Sequence, residues 1–545
     1  KYIVVDQLDG SITIYQEKEM KLIKKIAAIM FAFMMVFTLS SNVNAEEPAG
    51  TGKIKIDNAI SGESYTIYKV FDLESFDGDN YSYKVTNEKW KEFFKTGEGK
   101  TYVDINDYDG VTWKNEKTAT QAEKESLAKE LAPKMLKFAK DHADGIAGIS
   151  KPASSNNLVF ERLSLGYYLV DSSVGALCGL TTTANEATIH EKNEKPTLNK
   201  YVNTYDVAHP NHADRNSLKK NTTNEIGDMV WFTAEIDNFK GAEQLVFTDI
   251  MDSGLSLNGI LNNQVLLQVS LVKRNVTENV TDADVENLRL NTDYTTVPGK
   301  EDGKDKFTLQ FTDEGYKKLE QYYENYVIRI SYSATVNKSA LINNENTATL
   351  KYGNNPNVIT SNAYVGVLSI PVFKSKNDNT PLPKAEFSLY TILDDANNGV
   401  NPIEFKQDDS SKEIYRKATN EETDTVKKIT TNNTGKFEFY GLKEGEYYLK
   451  EIKAPEGYNK LKEPIKVTVT KKVDNDTKMV IGHSLNYTYG KNAGNGVTEV
   501  QVINETGSLL PSTGGMGTTL IYLIGGALVL GSGFVLANKK RAKAK

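Results

Sequence analysis

From Thr519 to Ala537 the chain runs 19 residues without a charge, and the eight residues that follow include five cations, Lys539, Lys540, Arg541, Lys543 and Lys545. A helix of that length just crosses the roughly 30 Å of hydrocarbon in a bilayer. Cations beyond it hold its end on the cytoplasmic side, so the rest of the chain must fold on the other face of the membrane. A shorter apolar run, Ile26 to Leu39, is preceded by Met20, Lys21, Lys24 and Lys25 and followed by Val43-Asn44-Ala45 before Glu46. Charged start, short apolar middle and small-residue end make residues 20–45 a secretory signal peptide. Residues 1–19 then read as a non-native or mis-assigned extension, and the mature chain is expected to begin near Glu46.

Charge narrows the partners. Residues 1–45 carry net +1 and the tail after Thr513 carries +5, which leaves −13 on the remainder of a chain whose total is −7. An acidic surface of this kind lacks the basic stripe that phosphate backbones require, so no nucleic acid is expected as a partner. About 470 residues remain between the two ends, enough for three domains. Cys178 is the only cysteine, so an internal disulfide is excluded, and its neighbours Gly175, Ala176, Leu177 and Gly179 suggest a buried small hydrophobe. An extracellular chain of this length therefore has to be stapled by some other chemistry, or not at all. Five histidines, with no paired metal-ligand spacing, no phosphate loop and no Ser, His and acid set, leave no basis for a metal site, a cofactor or a hydrolytic centre.

Most of the chain alternates. Ile54, Ile56, Tyr65, Ile67 and Val70 around Ser61-Gly62 read as strands, as do Leu158 to Phe160 and Leu165 to Val170. One helix is expected after Thr120, where Thr120 and Glu123 form a capping box and Leu127, Leu131, Met135 and Phe138 recur at helical spacing; Pro133 should kink it. The charged, Pro-containing stretch Glu191 to Lys200 has no apolar period and reads as a linker. Beyond it Val230, Phe232, Ala234 and Ile236 alternate with Trp231, Thr233 and Glu235, and further strands are expected over 245–249, 265–272, 307–311, 326–336 and 347–352. After Pro371 a third block alternates at Phe387 and Leu389, Phe437 and Phe439, Tyr447 to Leu449, and Val467 and Val469, with Gly435, Gly441 and Gly445 in tight turns. The expected fold is all-β dominated: tandem immunoglobulin-like β-sandwich domains, one helix-containing crossover in the first, and hydrophobic helices at the termini. The expected boundaries are 46–190, 191–366 and 367–509, followed by a terminal signal over 510–545.

Leu510-Pro511-Ser512-Thr513-Gly514, the apolar span and the basic tail, in that order, resemble the LPxTG cell-wall sorting signal of Gram-positive bacteria. The resemblance implies cleavage between Thr513 and Gly514 by a sortase, with transient membrane retention by residues 519–537. Tyr447-Tyr448-Leu449-Lys450-Glu451-Ile452-Lys453-Ala454-Pro455-Glu456-Gly457-Tyr458 resembles the E-box of Cna-B-type pilin domains, near YxLxETxAPxGY, with Ile452 in place of Thr. Phe373-Lys374-Ser375-Lys376, leading to Pro381 to Tyr390, looks like that family's opening strand, and Val502-Ile503-Asn504 its closing one. Such domains join the opening Lys to the closing Asn by an intramolecular isopeptide bond with help from the E-box Glu, which here implies Lys374, Asn504 and Glu451. Burial disfavours the charged forms of Lys and Glu, and a neutral amine can attack the Asn amide while the acid moves protons as ammonia leaves.

The second block resembles a Cna-A-like middle domain of pilin shafts, with Lys200, the acid Asp249 and Asn346 in the matching places; Asn343 and Asn344 compete for the Asn, and Asp252 or Glu235 for the acid. The first block has Tyr167-Tyr168-Leu169-Val170-Asp171 without the Ala-Pro-Gly-Tyr continuation, so no isopeptide is expected there. Ala187 to Asn193 stands where backbone pilins carry a motif like VxVYPKN, with His190-Glu191 replacing Tyr-Pro; that points to Lys192 as the lysine joined to the next subunit, with Lys195 as the alternative. Together these resemblances imply the major subunit of a sortase-assembled pilus. Its partners would be a pilin-class sortase, other copies of itself head to tail, minor pilins, a housekeeping sortase and peptidoglycan, with a host ligand left open. The chain would be a sortase substrate and not an enzyme. A minor pilin or adhesin, or a singly wall-anchored protein that binds a host ligand, are the competing classes; the DxSxS metal motif of many tip subunits is not found.

Overall fold

In a computed structural model, residues 50–77, 80–114, 121–174, 186–203, 214–353, 358–408, 413–507 and 517–542 are described. The signal peptide, the Thr120 end of the capping box, Cys178 and the Leu510–Gly514 pentapeptide lie outside them. The chain divides into two compact units, one of residues 1–368 with 441–443 and 471–482, the other of 369–440, 444–470 and 483–545.

The first unit begins with β1 (Gly52–Asp57), β2 (Ser64–Asp77), α1 (Glu88–Lys95), α2 (Gln121–Asp141), β3 (Asn157–Leu163), β4 (Gly166–Ser172) and β5 (Glu186–His190). β1 lies between antiparallel β3 and parallel β5, while β2 pairs with β4 in a second sheet. Ile54, Ile56, Tyr65, Ile67, Phe160, Val170 and Ile189 fill the space between, as the alternation requires. The crossover helix is α2, with Pro133 inside it and Leu131 and Met135 buried. Helix α1 departs from the expectation of a single helix. Asn87 caps it by accepting from Trp90 N at 2.9 Å, and Trp90, Phe93 and Phe94 are buried at helical spacing.

The same unit continues with β6 (Thr197–Asn203), β7 (Met229–Asp237), β8 (Val246–Met251), β9 (Lys304–Phe311), β10 (Tyr326–Val336), β11 (Asn344–Lys351) and β12 (Ile359–Gly366). One sheet contains β6–β7–β10, the other β12–β11–β8–β9. Phe232, Ala234 and Ile236 of the first face Phe247, Phe307, Leu309, Ala348 and Leu350 of the second, and all are buried. Among the described residues, no strand pairing joins these sheets to those of residues 52–190.

In the second unit β13 (Leu368–Ser375) runs parallel to β16 (Val500–Ile503), and β14 (Glu386–Tyr390) pairs antiparallel with β15 (Gly445–Lys453) in the other sheet. Gly435 supplies a turn that only glycine fits. Its φ is +69°, and a Cβ there would stand 2.4 Å from the Lys374 carbonyl oxygen. Helix α3 (Gly517–Ala542) contains an apolar stretch, Leu520–Lys540, of mean hydropathy 2.2.

Candidate functional site

Side chains alternate across a strand, so each residue's face can be read from its neighbours two positions away. Lys200 lies on β6 between Leu198 and Val202, both core-facing, and is itself fully buried. Asp249 on β8 lies between Phe247 and Met251, and Asn346 on β11 precedes Ala348 on the same face; both are fully buried. Pairing sets Asp249 opposite Ala348, so Asn346 is its diagonal neighbour on that face. The amine therefore comes from one sheet, and the acid and amide from the other.

Across the gap Lys200 Nζ donates to Asp249 Oδ2 at 2.5 Å, and the Tyr332 hydroxyl donates to the same oxygen. The ammonium also lies 4.3 Å from the Tyr332 ring centroid and 5.0 Å from that of Phe232. Burial dominates the electrostatics. It lowers the Lys200 pKa to about 8 despite Asp249 beside it, and raises that of Asp249 to about 6 against the opposing pull of Lys200 and the Asn346 amide. Asp249 Oδ1 and both polar atoms of Asn346 are buried with no hydrogen-bond partner among the described residues, an expensive arrangement for any finished core.

The rivals are occupied elsewhere. Glu235 accepts from Arg329 Nη2 at 2.7 Å and Nε at 3.2 Å, and from Arg215 Nε at 3.4 Å. Asp252 accepts from Lys304 at 2.7 Å and from the Glu345 amide at 2.8 Å. The Asn344 side chain bonds the backbone of Leu341 and Val365, and Asn343 is half-buried.

The second unit repeats the theme with a different division of labour. Lys374 on β13 follows core-facing Val372 and Ile370, and Asn504 follows Val502 at the end of β16, so these parallel neighbours place amine and amide in one sheet. Glu451 comes from the facing sheet, on β15 after inward Tyr447 and Leu449. Asn504 Nδ2 donates to Glu451 Oε2 at 3.0 Å and to the Asn459 carbonyl at 2.5 Å, and the Leu461 amide donates to that same Oε2 at 2.8 Å. Lys374 Nζ reaches the Val502 carbonyl at 3.1 Å. Burial lowers its pKa to about 8, with Glu451 pulling the other way. Glu451 Oε1 and Asn504 Oδ1 are buried and unsatisfied among the described residues. The Glu451 carboxyl thus meets the amide nitrogen of Asn504.

The first sheets offer a contrast. Asp171, at the E-box position, accepts from Lys140 at 3.0 Å, and burial raises its pKa to about 6, but the Lys140 side chain is 30% exposed.

Of the linker lysines, Lys192 is half-buried with its Nζ enclosed, next to Glu191, which accepts from the backbone N–H of Lys192 and Asn193. Lys195 is exposed, and its Nζ lies 3.2 Å from Glu63 Oε1. Glu63, fully buried, also accepts from Tyr352 at 2.8 Å and Ser173 at 2.7 Å. Sequence reasoning missed Tyr332, Leu461 and the Glu63 cluster. The first two act through a phenol hydroxyl and a backbone amide brought in by strand register, which leave no mark in a sequence pattern.

Residues 369–483 match the prealbumin-like fold domain family, and residues 504–545 match the LPXTG cell wall anchor motif. No curated protein sequence matches the chain. Among solved structures it is similar to the T6 backbone pilin of serotype M6 Streptococcus pyogenes, at 16% identity over 84% of this chain and 98% of that one, with a TM-score of 0.42. It is also similar to the major pilin SpaA of Corynebacterium diphtheriae, at 13% identity over 83% and 99%, with a TM-score of 0.44. The anchor motif, with the apolar helix that follows it, makes this a cell-wall surface protein that the membrane retains transiently.

Proposed function

From a cell-wall anchor at one end and two enclosed Lys, acid and Asn sets in the body, we propose that the protein is the major shaft subunit of a covalent pilus, in which it acts as substrate and not as enzyme. The observation that carries this reading is the pair of buried lysines, each facing an acid and an amide in a core, in a chain with a single cysteine. A pilin-class sortase cleaves between Thr513 and Gly514, holds Thr513 as a thioester and transfers it to the Lys192 amine of the next copy. Head-to-tail repetition of one contact gives an open filament. A housekeeping sortase then joins the base of the fibre to peptidoglycan. The Lys192 Nζ is enclosed and has to be uncovered before it reacts; Lys195, the alternative acceptor, is the more exposed of the two.

The two buried sets staple the shaft. The neutral Lys374 amine attacks Asn504 Cγ; the new Nζ–Cγ bond forms, the Cγ–Nδ2 bond breaks, and the nitrogen leaves as ammonia. Glu451 accepts the proton that the amine loses and returns it to the departing nitrogen, the atom its Oε2 already contacts. Asp249 serves Lys200 and Asn346 in the same way.

Boiling wall extracts in SDS tests the polymer. A ladder of covalent oligomers that collapses in Lys192→Ala is expected. A ladder that persists there and is lost in Lys195→Ala moves the joint to Lys195, and a lone monomer band in the wild type removes the shaft reading.

A further inference from the structure

The two junctions fix their acids by different means. In the second unit Glu451 Oε2 is held by a backbone donor, the Leu461 amide, whose place the chain itself secures. In the first unit no backbone donor to Asp249 is found among the described residues; the hydrogen bonds to its carboxyl come from Lys200 and from the Tyr332 hydroxyl, both on Oδ2. Tyr332 is on β10, opposite Phe232 of β7, with its ring stacked on Phe232 at 5.9 Å and edge-on to Phe307 of the facing sheet at 4.8 Å. Two ring contacts hold the ring, and its hydroxyl reaches across the gap between sheets to Asp249. Its face meanwhile covers the Lys200 ammonium.

Resting on the isopeptide reading above, we propose that Tyr332 is a positioning residue for bond formation in the middle domain. By occupying Asp249 Oδ2 it fixes the rotation of the carboxyl and leaves Oδ1, otherwise unsatisfied, for the Asn346 amide alongside. It also sets the amine by π contact against that same carboxyl. Once Lys200 has given up its proton, Tyr332 is the group that still orients the acid, so its hydroxyl matters at the moment of reaction. The charged and titratable groups facing the acid are Lys200 from β6 and Tyr332 from β10, with Lys220 acting on Lys200 from the adjoining segment.

The test uses the full chain recovered unfolded, refolded at a series of pH values, and sampled over time by digestion and mass spectrometry. Each bond is read as the loss of one ammonia, about 17 Da, from its crosslinked peptide pair. In Tyr332→Phe, which keeps the ring, the Lys200–Asn346 bond is expected to form about ten-fold more slowly. A donor to a carboxylate favours its ionised form, so the limb of the pH–rate profile set by Asp249 should also move up by about one unit. The Lys374–Asn504 bond in the same molecules should form at the wild-type rate. An unchanged rate and profile for Lys200–Asn346 overturns the assignment, and so does equal slowing of both bonds, which would make Tyr332 a folding residue. If the wild type forms no Lys200–Asn346 bond, the isopeptide reading of that junction itself fails, a different outcome from failure of the Tyr332 role.

Discussion

Six polar residues, Lys200, Asp249, Asn346, Lys374, Glu451 and Asn504, stand in inward slots that strand alternation reserves for apolar side chains, and all six are buried. A lysine there gains no stability as an ion, because desolvation outweighs what one carboxylate returns. The titration of the unbonded pair makes this measurable. Lys200 at about 8 lies below its ordinary 10.5, so the unfolded state binds more protons between those values and stability rises with pH across that window. Asp249 at about 6 lies above its ordinary 3.8, so stability falls as pH rises from 3.8 to 6. Asn346→Ala, which cannot form the bond, is therefore expected to be least stable between about pH 6 and 8 and to recover on both sides. Urea midpoints against pH check this. The wild type, with its Lys200 nitrogen tied up as an amide, should lack the alkaline recovery.

At the scale of elements, strand pairing decides which polar residues can meet. Lys374 and Asn504 are far apart in sequence but are brought together by adjacent parallel strands, and the turn at Gly435 packs directly on the Lys374 backbone, its carbonyl accepting from the Lys374 amide at 2.8 Å. Gly435→Ala meets both a positive φ and a Cβ clash with the Lys374 carbonyl oxygen. It should cost at least about 1 kcal/mol in denaturant unfolding and slow closure of the Lys374 bond. A neutral result would mean that this turn does not position the strand. The alternation of β7 and β15 was legible because one face of each is buried, whereas Thr197 to Lys200 read as linker and lie instead in β6, where the inward Lys200 interrupts the apolar period. Helix α1 was not read, although Trp90, Phe93 and Phe94 carry its spacing, because eight residues give too few repeats to outweigh the strands around them.

For the whole molecule, the two proposed bonds would close spans of 147 and 131 residues, Lys200 to Asn346 and Lys374 to Asn504. By the loop-entropy argument each is worth on the order of 5 kcal/mol. Intact mass of the folded chain should fall short of its sequence mass by two ammonias, about 34 Da. No water should be lost between Lys140 and Asp171, where the amine stays solvated. Glu451→Gln should restore one ammonia and lower the thermal midpoint of its own unit alone. A wild-type mass with no deficit would remove both staples. The sequence by itself determined the membrane-crossing segment, the cell-wall address and the strand-rich fold, because hydrophobic length, motif order and period-two alternation are local properties of a chain. It also marked the six polar residues as candidates by order along the chain. Only the tertiary structure decided between rivals, committing Glu235 to Arg329 and Asp252 to Lys304 and leaving Asp249 with Lys200. It also decided that one amine reaches across two sheets while the other stays within one, and that Tyr332 holds an acid 83 residues away. Those depend on strand register and sheet facing, which bring distant residues together and which no local pattern encodes.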